Sequence, residues 1–95
     1  MSYRFSPIES VSQLFIVMKQ QVLDAGVGEN DWGAAFDEMA AAHTAGVHPP
    51  GTHDLTDATD KYKTFGVKLW GHRMLYQVRP PSDLVIVSVR LSSWA

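Results

Sequence analysis

Apolar residues recur at helical spacing near the start of the chain, and they predict a first amphipathic helix. Its beginning is indicated by Ser6, which can cap the free amides, by Pro7 at the first helical position, and by Glu9, which completes a capping box. Gly26 is the expected stop. The predicted buried stripe consists of Ile8, Val11, Leu14, Phe15, Met18 and Val22.

A second stripe of the same spacing predicts a second helix. Asn30 or Asp31 is expected to cap it, and the acidic residues at this start favour the positive end of the helix dipole. Gly46 is expected to end it. The loop that follows, residues 47–60, is rich in Pro, Gly, Thr and Asp, and Leu55 could pin it to the core. The apolar positions of this helix are Trp32, Ala35, Phe36, Met39 and Ala40.

Other segments alternate apolar and polar residues with the period of β-strands. Gly71-His72 is expected to turn the chain, and residues 79–83 break it again. The predicted strands cover residues 2–5, 64–70, 73–78 and 84–91.

The predicted element order is β-α-α-β-β-β, which is typical of an α+β domain with two helices packed on a small antiparallel sheet. The strand at residues 2–5 is expected to join the same sheet, because alone it would expose its backbone groups. A chain of 95 residues suits a single domain, residues 1–95.

Charge divides the chain into two unequal parts. Residues 1–60 hold two basic and nine acidic residues, a net charge of −7, whereas residues 61–95 hold six basic residues and one acidic residue, a net charge of +5. Because the basic part carries the predicted hairpin, that hairpin is the expected contact for nucleic acid or another anionic partner. The chain has no cysteine, which excludes disulfides and thiolate metal sites.

Basic and aromatic residues of the hairpin are the candidate RNA contacts, the lysines for phosphates and the rings for stacking on bases. They are Lys61, Lys63, Lys68, Tyr62, Trp70 and Tyr76. The same lysines would also suit solvated strand positions that discourage edge pairing, so the pattern leaves both interpretations open.

Arg73 and Arg90 are candidate catalytic residues, because each lies in an otherwise apolar strand, where an arginine is rarely buried unless paired. On one concave side of the sheet the two could clamp a phosphate and stabilise developing charge. The alternative is that both bond acidic helix residues such as Asp37 or Glu38. His72, in the predicted turn beside Arg73, is the candidate for acid–base work.

Alternation also predicts the neighbours of the two arginines. Arg73 is expected to share a face with Leu75 and Gln77. Arg90 is expected to share a face with Leu84, Ile86 and Ser88.

His43, His48 and His53 are weaker candidates, as metal ligands. Their spacing of five does not place them on one helix face, and Pro49-Pro50 intervenes. No nucleophile motif and no glycine-rich phosphate loop is present either, so neither a metal nor a cofactor is expected.

Residues 62–78, followed by residues 84–89, resemble the C-terminal sheet of the RelE/ParE toxin superfamily. In that superfamily a strand and a turn lead into a strand with an arginine, two apolar residues and a tyrosine, and then into a strand rich in Val and Ile. Residues 73–76, Arg-Met-Leu-Tyr, match this element. Residues 3–7, a short strand that runs into a helix through Ser-Pro, are also similar to the opening of the family.

The resemblance implies the toxin of a bacterial toxin–antitoxin module, with a cognate antitoxin protein as partner. Such toxins cleave mRNA on the ribosome or poison DNA gyrase, and the mRNA-cleaving members use sheet arginines and lysines as acid, base and phosphate-stabilising groups. By position Arg73 matches the sheet arginine of the family. The expectation is a ribosome-dependent endoribonuclease whose basic sheet face binds mRNA and inhibits growth.

Other function classes stay open. A protein-binding module without catalysis, such as a gyrase poison or an inhibitor from a phage or mobile element, would use Trp32, Trp70 or Trp94 as interface anchors. A small metal-dependent enzyme built on the three histidines would belong to a different class again.

The first residues lack the basic-then-apolar layout of a signal peptide, and no apolar run approaches the ~20 residues that cross a bilayer. A cytoplasmic protein without a membrane segment is therefore expected.

Overall fold

The computed structural model describes residues 2–92, which form two helices packed on one face of a five-stranded sheet. This is an α+β arrangement, as predicted. Neither helix is long and apolar enough to cross a membrane. The elements in chain order are β1 (Arg4–Pro7), α1 (Glu9–Asp24), α2 (Glu29–Thr44), β2 (Thr52–Asp54), β3 (Lys63–Leu69), β4 (His72–Arg79) and β5 (Asp83–Arg90).

The sheet is mixed, with the strand order β1-β5-β4-β3-β2. The N-terminal strand joins it as expected, but β1 runs parallel to β5, so the prediction of a wholly antiparallel sheet is wrong. A parallel pair needs a long crossover, and here both helices and three strands separate β1 from β5. Apolar residues alternate in the same way along parallel and antiparallel strands, so the sequence pattern does not reveal the direction of β1.

Strand β2 lies inside the segment predicted as a loop and pairs with β3 at the edge of the sheet. Thr52, its first residue, is buried and is fixed by His48, whose Nε2 lies 2.9 Å from Thr52 Oγ1 and 2.8 Å from the Thr52 carbonyl oxygen. The Thr52 hydroxyl also donates to the carbonyl of Pro49 at 2.6 Å. Local side-chain bonds therefore hold a strand that is too short to produce an alternation signal.

The predicted beginning of the first helix is wrong by a few residues. Ser6 and Pro7 belong to β1, and α1 begins after Ile8, which makes no side-chain cap. The backbone of this segment is bound to β5 instead, and the Ile8 N–H donates to the carbonyl of Ile86 at 3.0 Å. Pairing in the sheet thus prevails over the local capping signal.

The second helix, by contrast, begins slightly earlier than predicted, at Glu29, with Gly28 rather than Asn30 or Asp31 at the cap position. Both predicted helix ends are confirmed. Gly26 and Gly46 follow the last helical residues with φ of +101° and +74°, a backbone conformation that strongly favours glycine.

Tyr76 of β4 lies at the centre of the core and is fully buried. Its ring lies 5.0 Å from the ring of Phe5 and 5.8 Å from the ring of Phe65. Phe5 in turn makes an edge-to-face contact with Phe36 of α2, at 5.2 Å between ring centroids. Aromatic contacts therefore connect three strands with the helical layer.

The Tyr76 hydroxyl also bonds the helical layer directly, since its oxygen lies 2.7 Å from Nε2 of His43 in the last turn of α2. Burial lowers the pKa of His43, and the nearby imidazole of His48 lowers it further. Burial also raises the pKa of Tyr76, so both groups are neutral near pH 7 and the hydroxyl can donate to the imidazole.

Replacement of Tyr76 by Phe removes this hydroxyl and leaves the His43 nitrogen without its partner. We expect the free energy of unfolding, measured by urea denaturation, to fall by about 1–2 kcal/mol. Tyr62→Phe is the matched control, because that tyrosine is partly exposed, and its effect should stay within about 0.5 kcal/mol. Equal effects of the two substitutions would contradict the role of the hydrogen bond.

The lowered pKa of His43 makes stability depend on pH. Below the ordinary histidine pKa of 6.5 the unfolded chain binds more protons than the folded chain, so the free energy of unfolding should fall as the pH decreases. Denaturation between about pH 7.5 and pH 5.5 should show a smaller loss for His43→Gln than for the wild-type chain. His53→Gln, at an exposed position, is the control and should keep the wild-type loss. An unchanged pH dependence in His43→Gln would refute this assignment.

Candidate functional site on the open face of the sheet

The helices cover one face of the sheet, and the opposite face, here called the open face, is turned to solvent. Three cationic side chains lie side by side on it, because Lys68 of β3 is the register partner of Arg73 of β4, and Arg73 is the register partner of Arg90 of β5. All three are exposed. Neighbouring strands are about 4.8 Å apart, so this cation row spans roughly 10 Å.

A β-bulge in β5 brings Arg90 into this row. Leu75 of β4 is the partner of Ser88 and Tyr76 is the partner of Ile86, so Val87 has no partner on β4. The extra residue shifts the alternation, and Ser88 and Arg90 lie on the open face although Ile86 faces the core. The expectation that Arg90 shares a face with Leu84 and Ile86 is therefore wrong, whereas Ser88 does accompany it.

Among residues 2–92, no acidic side chain forms an ion pair with the cation row. Like charges directly opposite each other on adjacent strands are destabilising. Within residues 2–92 the ion pair joins Lys19 to Glu29 at 3.1 Å, far from the row in sequence and on the helical layer. The alternative in which the arginines bond acidic residues of α2 is thus not realised, since that helix packs on the other face. The row is a concentration of positive charge open to an anion.

The cation row borders a shallow depression of about 430 Å³, which is also lined by His53 and Ser88. Its apolar floor consists of Leu55, Gly66 and Leu75. A Cβ atom at Gly66 would lie 2.8 Å from Leu55 Cδ1 and 3.2 Å from Leu75 Cδ2, so the missing side chain gives the two leucines room to cover the strand. Leu55 is 54% exposed and covers the open face, whereas a contact with the core was expected.

His72 is not brought together with the arginines. The two-residue turn consists of Trp70 and Gly71, with φ of 48° and 87°, and His72 is already the first residue of β4. Its side chain is on the face opposite to Arg73, is 5% exposed, and accepts the N–H of Ser92 on Nδ1 at 3.0 Å. The turn lies one residue earlier than predicted, so His72 is a strand residue, and its side chain alternates with that of Arg73.

His53, rather than His72, borders the cation row. The sequence pattern indicated His53 only as a weak candidate for a metal ligand. It is the register partner of Gly66 and is exposed on the open face. The other two histidines of that hypothesis lie elsewhere, since His43 contacts the core and His48 holds Thr52. Among residues 2–92 no group of three metal-ligating side chains is present.

The three predicted stacking rings do not line the depression. Tyr76 is buried in the core and cannot reach a base, which corrects its assignment as an RNA contact. Trp70 is 41% exposed but stacks on Trp32 of α2, with centroids 5.6 Å apart. Tyr62 lies beneath two cations, with Lys61 Nζ at 5.4 Å and the Arg79 guanidinium carbon at 5.1 Å from its centroid.

Of the three predicted lysines, Lys68 alone belongs to the cation row. Lys61 and Lys63 lie at the other end of β3, and Lys63 alternates with Lys68, so its side chain is on the helical side of the strand. Lys63 lies near the carboxylate of Asp54. Hydrogen bonds from Thr56 hold the pKa of Asp54 below its ordinary value, and the charge of Lys63 lowers it further. Trp94, proposed as an interface anchor, lies outside the described residues.

No family model matches the chain, and comparisons with curated proteins and with solved structures gave no significant match.

Proposed function

We propose that the chain is the toxin of a bacterial toxin–antitoxin module, with a RelE/ParE-like fold, and that its open face acts on mRNA at the ribosome. The element order supports this proposal, because a strand and two helices precede the sheet strands, as the resemblance implies. The additional strand β2 and the parallel pairing of β1 with β5 are compatible with that order. A cognate antitoxin is the expected partner, and the cytoplasm is the expected compartment.

The cation row is the observation that carries the proposal. Three positive charges in register, without an acidic partner among the described residues, oppose folding and favour an anionic ligand. An arginine guanidinium group can donate two parallel hydrogen bonds to a phosphate group, and it keeps its positive charge at any physiological pH. A phosphodiester bound there would lie next to His53, whose imidazole can accept or donate a proton.

A second candidate function is a protein-binding module without catalysis, for example a gyrase poison or an inhibitor from a mobile element. Two aliphatic side chains of α1 favour it, because Leu14 and Val17 lie three residues apart on the helix surface and are 41% and 40% exposed. Exposed apolar side chains that lie together are typical of protein contacts. Inhibition of DNA supercoiling by the purified chain, with mRNA left intact, would select this candidate.

Expression of the wild-type chain in bacteria is expected to stop growth, and Arg73→Ala is expected to relieve the arrest. Arg79→Ala is the matched control, because Arg79 lies on the same strand and the same face, roughly 20 Å away. It should leave the arrest unchanged at equal expression. A toxic Arg73→Ala variant would exclude Arg73 from the mechanism, and a non-toxic wild-type chain would refute the proposed function.

Binding of a single-stranded tetraribonucleotide to the purified chain should weaken as salt increases. Each phosphate contact contributes about −0.7 to the slope of log K against log salt concentration, so three cations predict a slope of about −2. Arg73→Gln should reduce its magnitude by about 0.7, whereas Arg79→Gln should not change it. A slope near zero would show that the row does not bind phosphate.

A further inference from the structure

The apolar floor lies directly beside the cation row, and the proposed function does not account for it. Arg73 and Leu75 are two residues apart on the open face of β4, which places the charged and the apolar group roughly 7 Å apart. On β3 the same step separates Lys68 from Gly66. Phosphate binding alone would use only the cations, whereas a ligand with an apolar part next to its anionic group would contact both the cation row and the floor.

The shape of the site limits what that ligand can be. A volume of about 430 Å³ lies within the usual range of small-ligand sites, roughly 300–1,000 Å³, but the depression is shallow and lies on a sheet. A nucleotide carries an anionic phosphate at one end and a flat, weakly polar base at the other. Bases stack on aliphatic side chains as well as on rings where a pocket removes them from a strand.

The placement of the tyrosines and tryptophans points in the same direction. Neither Trp70 nor Tyr76 lines the depression, so a base that lies beside the cation row has Leu55 and Leu75 as its available contacts. A base within a duplex has both faces covered by its neighbours, whereas a single-stranded base can turn toward a protein surface. His53 and Ser88 lie at the border of the floor and can form hydrogen bonds with a ligand there.

We infer that the depression binds one nucleotide of single-stranded RNA, with its phosphate on the cation row and its base on the apolar floor. The inference deepens the proposed function, on which it rests, by naming the unit of RNA that the open face recognises.

The test is a titration of the purified full chain with three probes, followed by NMR of the backbone amides. Adenosine monophosphate should bind at least about fivefold more tightly than inorganic phosphate, and adenosine should bind more weakly than either. The amide of Gly66 should shift with the nucleotide and not with phosphate. Equal affinities for the nucleotide and for phosphate would overturn the inference.

Two variants separate the two halves of the site. Leu55→Ser should weaken the nucleotide about fivefold and leave phosphate unchanged, and its exposed position makes loss of the fold no concern. Arg73→Gln should weaken both probes, and Arg79→Gln should weaken neither. If Leu55→Ser has no effect on the nucleotide, the base does not lie on the floor and the inference fails.

A second comparison assigns the nucleotide to a single strand. A tetraribonucleotide should bind more tightly than adenosine monophosphate and more tightly than a duplex of the same sequence. Tighter binding of the free nucleotide, or equal binding of the duplex, would overturn the assignment. These titrations contain no ribosomes, so their failure is distinct from a failure to arrest growth, which concerns the proposed function.

Discussion

The packing of Tyr76 against the helical layer goes together with the apolar side chains of the same face, and it leaves the opposite face of the sheet open. The Tyr76 hydroxyl joins the middle strand, β4, to His43 in the last turn of α2 at 2.7 Å, inside a set of aromatic contacts that fill the core. Since side chains alternate along a strand, a Tyr76 that points to the helices requires Arg73 and Leu75 to point away from them. The two chemical parts of the proposed site, charge and apolar floor, are thus consequences of how the core is packed.

The open face carries features that do not stabilise the fold. Three cations lie in register without an acidic partner in the described part of the chain, and a bulge at Val87 is required to bring Arg90 among them. Natural sheets commonly carry bulges beside functional sites, where an extra residue redirects a side chain. Gly66 is a further such feature, because a residue with a side chain would be more favourable for the strand but would displace the leucines of the floor.

The sequence predicted much of the fold because its strongest signals are periodic. The helical stripes fill the core as expected, with Val11, Met18, Val22, Trp32, Phe36 and Met39 buried, except at Leu14, which is 41% exposed. The beginning of α1 was wrong because capping residues compete with strand pairing, and β2 was missed because three residues are too few for a periodic pattern. The candidate site was predicted in part, since Lys68, Arg73 and Arg90 do lie together. His72 and Tyr76 were misplaced because turn position and core occupancy depend on contacts that the sequence pattern does not contain.

The claim that the open face acts on mRNA is tested most directly by incubating the purified chain with ribosomes that are translating a defined message, and by mapping the ends of that message. We expect shortened messages with the wild-type chain and intact messages with Arg73→Ala. Intact messages with the wild-type chain, at concentrations that arrest growth, would contradict it.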